Sequence, residues 1–148
     1  MRRLQSIDVL LVEDSFSDAE LTLRTLRKDE IGERVYWVKD GAEALDFMFR
    51  EGAYVERDSS QKLLLVLLDL RMPKVGGIEV LRRLKGDIRT RTTPVVILTS
   101  SDEPRDIAET YRLGVNSYIV KPVKLAAFRE VVSQVGRYWV YANQVPAG

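Results

Sequence analysis

The chain alternates five times between a short apolar run and a longer segment whose apolar residues have helical spacing. Each run is rich in Val, Ile or Leu, which is typical of a strand buried on both faces of a parallel sheet. The runs comprise residues 7–12, 34–38, 63–68, 94–98 and 117–120. Because parallel strands need crossover connections, the alternation predicts an α/β fold with a doubly wound parallel sheet of five βα units.

Capping residues predict where several helices begin and end. Ser17 and Glu20 have the spacing of a capping box, and Asp40 can cap the second helix. Pro104 suits the first turn of the fourth helix, and Gly114 suits its end. These positions divide the segments between the strands into helices and turns.

Helical spacing also predicts which helix faces pack on the sheet. The stripe of the third helix consists of Ile78, Leu81, Leu84 and Ile88. The stripe of the last helix consists of Leu125, Phe128, Val131, Val132, Val135, Tyr138 and Trp139. The connection 52–62 is polar and longer than usual, so we predict a surface loop there.

The composition excludes several kinds of chemistry, because the 148 residues include neither cysteine nor histidine. Ser-His-Asp and Cys-His catalysis, disulfides, Cys/His zinc sites and haem ligation through His or Cys are all ruled out. Carboxylate, hydroxyl and amine groups remain, and these favour metals that prefer oxygen ligands. With 23 Lys plus Arg against 22 Asp plus Glu, the net charge of +1 gives no electrostatic reason to expect nucleic acid or an anionic membrane as a partner.

We expect a single domain over residues 1–148, with a core from about residue 6 to residue 141 and a short tail at 142–148. The longest aliphatic run, 63–68, is too short to span a bilayer. The first residues lack the long apolar region and cleavage site of a signal peptide. A cytoplasmic location is therefore the default expectation, because no disulfide can form.

Polar residues stand where the predicted strands end. Glu13 and Asp14 follow the first strand, Asp69 follows the third, Thr99 follows the fourth and Lys121 follows the fifth. In open parallel sheets, ligands bind at the carboxyl ends of the strands, near the point where the strand order reverses. If the order is 2-1-3-4-5, the first and third strands are neighbours and three carboxylates converge there.

Converging carboxylates raise one another's pKa unless a cation lies among them, and Mg²⁺ prefers carboxylates with water and a phosphoryl oxygen. Lys121 adds a fixed positive charge and Thr99 a hydroxyl, so the set resembles the machinery of phosphoryl transfer, in which an aspartate can itself be the acceptor. Taken singly, Asp14 also fits a helix cap, Asp69 a turn, Thr99 a capping cluster and Lys121 a solvated surface position. Their shared place at one sheet edge favours a common site.

Four ordered motifs resemble those of two-component response regulator receiver domains. They are Val-Glu-Asp at 12–14, Leu-Leu-Asp-Leu-Arg-Met-Pro at 67–73, Ile-Leu-Thr-Ser at 97–100 and Tyr-Ile-Val-Lys-Pro at 118–122. The resemblance covers about residues 6–140 and implies a flavodoxin-like (βα)5 fold with strand order 2-1-3-4-5. The long loop before Leu63, the string 114–118 and the aromatic C-terminal end are most similar to stand-alone receivers that work with bacterial or cyanobacterial phytochromes.

The resemblance implies how the acidic residues act. Asp69 would accept a phosphoryl group from a phosphohistidine on a sensor histidine kinase, and the subgroup resemblance implies that this kinase is a phytochrome. Mg²⁺ would be held by Asp69, by Asp14 directly, by Glu13 through water and by the backbone carbonyl of Arg71.

The resemblance also implies a switch. Thr99 would move to bond a phosphoryl oxygen, Lys121 would pair with it, and Tyr118 would change rotamer as Thr99 moves. The Lys121–Pro122 peptide bond would be cis and would aim the lysine inward. The face formed by helix four, strand five and helix five would change, and its aromatic residues predict a homodimer through that face.

Two departures from the family pattern remove no required group: the first acidic residue is Glu13 rather than Asp, and Gly76 stands where many receivers carry an acidic residue. A phosphorelay intermediate is an alternative within the same chemistry. An aspartate-dependent phosphatase or mutase is disfavoured, because such enzymes usually carry a second acid at the position of Arg71. A flavin-binding protein is disfavoured because the acidic pair at 13–14 would repel a phosphate, and a pseudo-receiver scaffold because the whole acceptor set is present. We expect a signalling phosphoacceptor rather than an enzyme, with no DNA-binding output domain.

Overall fold

The computed structural model describes residues 7–58, 60 and 62–146. The strands are β1 Val9–Val12, β2 Val35–Val38, β3 Leu65–Leu68, β4 Val95–Thr99 and β5 Ser117–Val120. The helices are α1 Phe16–Lys28, α2 Gly41–Phe49, α3 Gly77–Lys85, α4 Pro104–Arg112 and α5 Leu125–Gly136. Short 3₁₀ turns occupy Gly32–Arg34 and Gly52–Tyr54, and α5 continues as a π-helical segment, Arg137–Ala142.

All neighbouring strands are parallel, and the sheet order is β2-β1-β3-β4-β5. Val12 is opposite Val38 on one side and Leu68 on the other, so β1 and β3 end at the same level. Thr99 is opposite Val120 at the end of β5. The predicted fold class and strand order are confirmed, and the register places the residues that follow β1, β3, β4 and β5 along one edge.

The sheet separates two apolar clusters. One contains alternate residues of the central strands, such as Leu10, Val12 and Leu68, together with residues of α2 and α3. The other contains Val9 and Leu11 together with residues of α1 and α5. Burial on both faces is confirmed for β1, β3 and β4. It is wrong for β2 and β5, which are only partly buried because an edge strand has a neighbour on one side alone.

Three of the predicted helix ends are confirmed and one is wrong. The carboxylate of Asp40 accepts a hydrogen bond from the backbone N–H of Glu43 at 2.8 Å, Pro104 opens α4, and Gly114 follows α4 at φ +100°. The cap of α1 is Ser15 rather than Ser17, since the helix begins two residues earlier than the capping-box spacing predicts.

The predicted apolar stripes are confirmed on the helix faces that pack against the sheet. In the third helix, Leu81 and Leu84 are fully buried, but Ile88 is 76% exposed because α3 ends before it. In α5, Phe128 and Val132 are buried on the sheet, whereas Leu125 at the start and Tyr138 beyond the end are about half exposed. The stripe therefore packs on the sheet only along its middle.

The connection before β3 is anchored by a tyrosine rather than being wholly a surface loop. Tyr54 is buried, and its hydroxyl donates to Glu43 Oε2 at 2.6 Å and lies 2.9 Å from the hydroxyl of Tyr36. No helix in the described part of the chain is both long and apolar enough to cross a bilayer. Residue 6 of the predicted core and residues 147 and 148 of the predicted tail lie outside the described ranges.

Candidate functional site

Three carboxylates converge at the carboxyl edge of the sheet. Glu13 and Asp14 follow β1, and Asp69 follows the neighbouring strand β3. One carboxylate oxygen from each lies within 4.8 Å of the others. Glu13 and Asp69 are buried, and Asp14 is exposed at the mouth of the site. The structure thus brings together the three acidic side chains that the sequence predicts as metal ligands.

The backbone around these carboxylates is fixed by hydrogen bonds. The indole of Trp37 donates to the carbonyl of Glu13 at 2.7 Å, and the N–H of Ser15 donates to the carboxylate of Glu13 at 3.1 Å. The N–H of Leu70 donates to Asp69 Oδ1 at 2.8 Å. A Cβ added to Gly77 would lie 2.2 Å from the carbonyl oxygen of Asp69. Only glycine therefore fits at the start of α3, where the helix lies against the backbone of Asp69.

Lys121 places a buried ammonium group among the carboxylates. Its Nζ lies 2.8 Å from Glu13 Oε1, 2.7 Å from Asp18 Oδ2 and 3.6 Å from Asp69 Oδ2. The lysine side chain is only 8% exposed. The structure therefore places Lys121 at the acidic site, beside the carboxylates that precede it in the sequence.

The predicted cis bond at Lys121–Pro122 is wrong, since no peptide bond in the described ranges is cis. The lysine reaches the site without it. Its backbone N–H donates to the carbonyl of Thr99 at 2.7 Å, which holds the end of β5 against β4, and its ion pairs draw the side chain inward.

The charges of Glu13 and Lys121 depend on each other. Burial raises the pKa of Glu13 to about 7; the hydrogen bond from Lys121 opposes this rise, and the charge of Asp69 adds to it. Burial acts to lower the pKa of Lys121, but its hydrogen bonds to Asp18 and Glu13 and the charge of Asp69 outweigh burial and raise that pKa. Lys121 therefore stays charged, whereas the raised pKa of Glu13 favours the neutral form of this carboxyl group.

The two predicted switch residues are joined through Ser101. Thr99 is fully buried, and its Oγ1 accepts a hydrogen bond from the N–H of Ser101 at 3.4 Å. The hydroxyl of Tyr118 donates to the carbonyl of Ser101 at 2.9 Å, and its ring packs against the cluster under α2 and α3. Ser101 therefore links the two residues, and a shift of Thr99 would act on Tyr118 through it.

Sequence reasoning missed Asp18, Ser101 and Asp106. Asp18 lies in the first turn of α1 and pairs with Lys121, while Asp106 accepts hydrogen bonds from the Ser101 hydroxyl at 2.6 Å and from Arg71 at 3.0 Å. These bonds lower the pKa of Asp106, that from Ser101 most, although partial burial opposes them. The one sequence signal for them was position, since each acid stands in the first turn of a helix that follows a site strand.

The donor set suits a divalent cation. Three carboxylates that share one small space repel one another, and their hard oxygens are the ligands preferred by Mg²⁺ and Mn²⁺. The predicted use of the Arg71 carbonyl stays a prediction. The side chain of Arg71 turns to Asp106 on α4, so it presents no second acid beside Asp69.

Residues 9–133 match the response regulator receiver domain family. A probable methanogenesis regulatory protein of Methanothrix harundinacea, FilR2, is 37% identical over 93% of this chain and 86% of its own length. Response regulator Rcp1 of Synechocystis is 34% identical over 94% of this chain and 92% of its own length. The crystal structure of its Mn²⁺-bound form has a TM-score of 0.87 and covers 94% of this chain and 98% of that one at 33% identity.

The structure of a phosphorylated cyanobacterial phytochrome response regulator, RcpA, has a TM-score of 0.86 and 34% identity, and covers 93% of this chain and 96% of that one. These matches extend over nearly the full length of each protein and include the strand ends that carry the acidic site. The chain therefore belongs to the response regulator receiver domain family.

Proposed function

We propose that the chain is a response regulator receiver that accepts a phosphoryl group on Asp69 from a phosphohistidine of a sensor histidine kinase. The observation that carries this proposal is the buried carboxylate of Asp69, which lies with Glu13 and Asp14 in one cluster and 3.6 Å from the ammonium of Lys121. A carboxylate in this setting is a nucleophile whose product is matched by nearby positive charge.

The acidic cluster would hold Mg²⁺ through Glu13, Asp14, Asp69 and the backbone carbonyl of Arg71. The convergence of three carboxylates supports a divalent ion there, and Rcp1 has been crystallised with Mn²⁺. When bound, the ion supplies charge neutralisation for the carboxylates and for the phosphoryl oxygens. It would join Lys121 in keeping the cluster stable in its ionised form.

The side chains of the protein perform the transfer itself. An oxygen of Asp69 attacks the phosphorus, an O–P bond forms, and the N–P bond of the phosphohistidine breaks so that the electron pair stays on the imidazole of the kinase. Lys121 pairs with a phosphoryl oxygen. Its ammonium group already lies 3.6 Å from Asp69 Oδ2, so it is close to a phosphoryl group carried by Asp69. Thr99 donates its hydroxyl to another phosphoryl oxygen.

The output would follow from the movement of Thr99. Its hydroxyl now accepts from the N–H of Ser101, so a turn towards a phosphoryl group removes a contact of the residue whose carbonyl accepts from Tyr118. Tyr118 then changes rotamer, and the face of α4, β5 and α5 changes with it. We propose that this face forms a homodimer, and that nucleic acid is not a direct partner.

The kinase partner is proposed to be a phytochrome. RcpA is a phytochrome response regulator, and its likeness to this chain extends over 93% of the residues. A place as an intermediate in a phosphorelay would use the same acceptor chemistry and the same residues.

The test is phosphorylation by acetyl phosphate with Mg²⁺, followed by intact mass spectrometry. We expect the wild type to gain one phosphoryl group and Asp69→Asn to gain none. Asp87→Asn, which removes a carboxylate from the connection between α3 and β4, is the matched control and should be labelled as wild type. Equal labelling of Asp69→Asn, or labelling of the wild type that is undiminished by EDTA, would contradict the proposal.

The kinase is tested separately by transfer from a purified, autophosphorylated phytochrome kinase. Faster phosphoryl transfer to the wild type from the phytochrome kinase than from a non-phytochrome histidine kinase supports the phytochrome assignment. Equal or slower transfer would overturn the phytochrome assignment while leaving the acceptor role of Asp69 intact.

A further inference from the structure

A polar cavity lies at the end of the sheet opposite to the acidic site that contains Asp69. It has a volume of about 350 Å³ and is bounded by the end of α2, the connection before β3, the connection between α3 and β4, and residues 145–146. Leu63 and Thr93 line it, and both precede the strands that end at the phosphoryl site. The length of the sheet therefore separates the two sites.

Four cationic side chains line this cavity. They are Arg50, Arg57, Lys62 and Arg89. No Asp or Glu is among the described residues that line it. The whole chain has a net charge of only +1, so the cavity concentrates positive charge that the remainder of the surface offsets.

Three of these cations form no ion pair among residues 7–58, 60 and 62–146, although the charge of Asp58 acts on one of them, Arg57. Arg57 donates to the carbonyl oxygens of Phe47 at 2.8 Å and Met48 at 3.3 Å. Lys62 donates to the carbonyl of Pro146 at 3.0 Å. Arg50, which ends α2 in the left-handed region at φ 55°, has no ion pair in the described ranges. Arg89 differs, since it pairs with Asp87 at 2.8 Å.

Like charges lie close together at this cavity, and neighbouring carboxylates offset them only in part. Burial lowers the pKa of the Arg57 guanidinium, the charge of Arg50 lowers it further, and the charge of Asp58 acts in the opposite direction. Glu51 is near enough to Arg89 to favour its charge. Positive charge exceeds negative charge even when these acids are included, and an added anion would relieve the repulsion.

The cavity also has walls that suit a small organic ion. The ring of Phe49 forms one wall and lies 4.8 Å from the guanidinium carbon of Arg89. Thr92 and Thr93 add polar groups on another side. A volume of about 350 Å³ is at the lower end of the range for small-molecule sites, so a large ligand would not fit inside.

We propose that this cavity binds a small anion that carries two or more phosphate or carboxylate groups. Arg50 and Lys62 would supply charge-assisted hydrogen bonds that their present contacts leave available, and Arg57, held by two backbone carbonyls, would supply a fixed positive charge. The site is independent of acceptor chemistry at Asp69, because no residue is shared between them.

The test is calorimetric titration of the full chain in Mg²⁺-free buffer with two probes, pyrophosphate for phosphate ligands and citrate for carboxylate ligands. We expect at least one probe to bind at a single site per chain, and the better probe identifies the ligand class. The double variant Arg50→Gln, Lys62→Gln should weaken binding by at least about tenfold, since it removes two charge-assisted contacts.

The matched control is Arg24→Gln, Lys28→Gln, which removes two exposed charges from α1, outside the cavity. It should leave the affinity unchanged. Equal weakening by both double variants, or no binding of either probe, would overturn the proposal. Amide chemical shifts give a second reading: changes at Thr92 and Thr93 support the site, whereas changes confined to Asp14 and Thr99 would refute it.

Discussion

The ammonium group of Lys121 holds the buried acidic cluster together while no cation is bound. It pairs with Glu13 at 2.8 Å and Asp18 at 2.7 Å, and the side chains of Lys121 and Glu13 are both almost fully buried. Removal of one partner from a buried ion pair leaves an uncompensated charge. We therefore expect Lys121→Met to lower the free energy of unfolding by about 3 kcal/mol, measured by urea denaturation in EDTA.

Mg²⁺ should restore part of this loss, because a bound cation supplies the missing charge to the same carboxylates. The control is Lys124→Met, which removes an exposed lysine three residues away and should leave stability nearly unchanged. A loss in Lys121→Met no larger than in Lys124→Met would show that the ion pair contributes nothing to stability.

Gly77 permits a second test at the acceptor itself. A Cβ at this position would lie 2.2 Å from the carbonyl oxygen of Asp69 and 2.7 Å from the Cα of Leu70, and both are backbone atoms that cannot rotate away. We expect Gly77→Ala to cost about 2 kcal/mol in unfolding free energy and to slow phosphorylation by acetyl phosphate. Gly76→Ala is the control, since its Cβ would lie at an ordinary 3.5 Å from the carbonyl of Leu70. Equal effects of the two substitutions would contradict this account.

Individual site residues differ in how far the sequence could predict them. Asp69 and Lys121 each directly follow a strand of the parallel sheet, so the strand order alone brings their backbones to one edge. Asp18 lies in a helix, and its contact with Lys121 depends on how α1 is rotated on the sheet, which strand patterns do not encode.

At the scale of the elements, the first helix offers a test of its cap. The hydroxyl of Ser15 accepts a hydrogen bond from the N–H of Asp18 at 3.3 Å, whereas Ser17 is exposed within the first turn. We expect Ser15→Ala to lower the free energy of unfolding by about 1 kcal/mol, because one free N–H at the helix start loses its acceptor. Ser17→Ala should change it by less than about 0.5 kcal/mol, since it caps nothing. Thermal or urea unfolding of both variants distinguishes this arrangement from the capping box at 17–20, which predicts the reverse order.

Element types were predictable from periodicity, but details at element ends were not. The central strands and the buried middle of α5 follow the spacing of their apolar residues. Ile88 has the right spacing for α3 yet is exposed, because the helix ends at Lys85 and Gly86 follows. Tyr54 stands in a polar segment yet is buried, because its hydroxyl finds Glu43 and Tyr36, which lie far from it in sequence. The end of the helix decides the first case, and contacts with other elements decide the second.

At the scale of the whole molecule, charge is divided between the two ends of the sheet. Glu13, Asp14 and Asp69 form the acidic site at the carboxyl edge, and Arg50, Arg57 and Lys62 belong to the cavity at the opposite end. The net charge of +1 conceals this division, so composition alone could exclude partners that need a uniformly basic surface but could not predict the basic cavity.

Apolar side chains exposed on one face predict how two copies associate. Tyr111 on α4 is 54% exposed, Val123 in the connection between β5 and α5 is fully exposed, and Leu125 and Tyr138 are about half exposed. Tyr118 lies on the same face, so phosphorylation would alter its packing. We expect a homodimer through this face, seen as a larger sedimentation coefficient with Mg²⁺ and beryllofluoride, which mimics an aspartyl phosphate.

The location of the interface is tested by Tyr111→Glu, which places a charge on the exposed side of α4 and changes no residue of the acceptor site. Burial of an unpaired carboxylate at an interface is unfavourable, so the dimer dissociation constant should rise at least about tenfold. Val55→Glu changes a residue exposed to a similar degree, in the connection before β3, and should leave the dimer intact. Both variants add one negative charge to an exposed apolar position, so the added charge by itself cannot explain a difference between them. A monomer both with and without beryllofluoride, or equal dissociation by both variants, would exclude the α4–β5–α5 face as the interface.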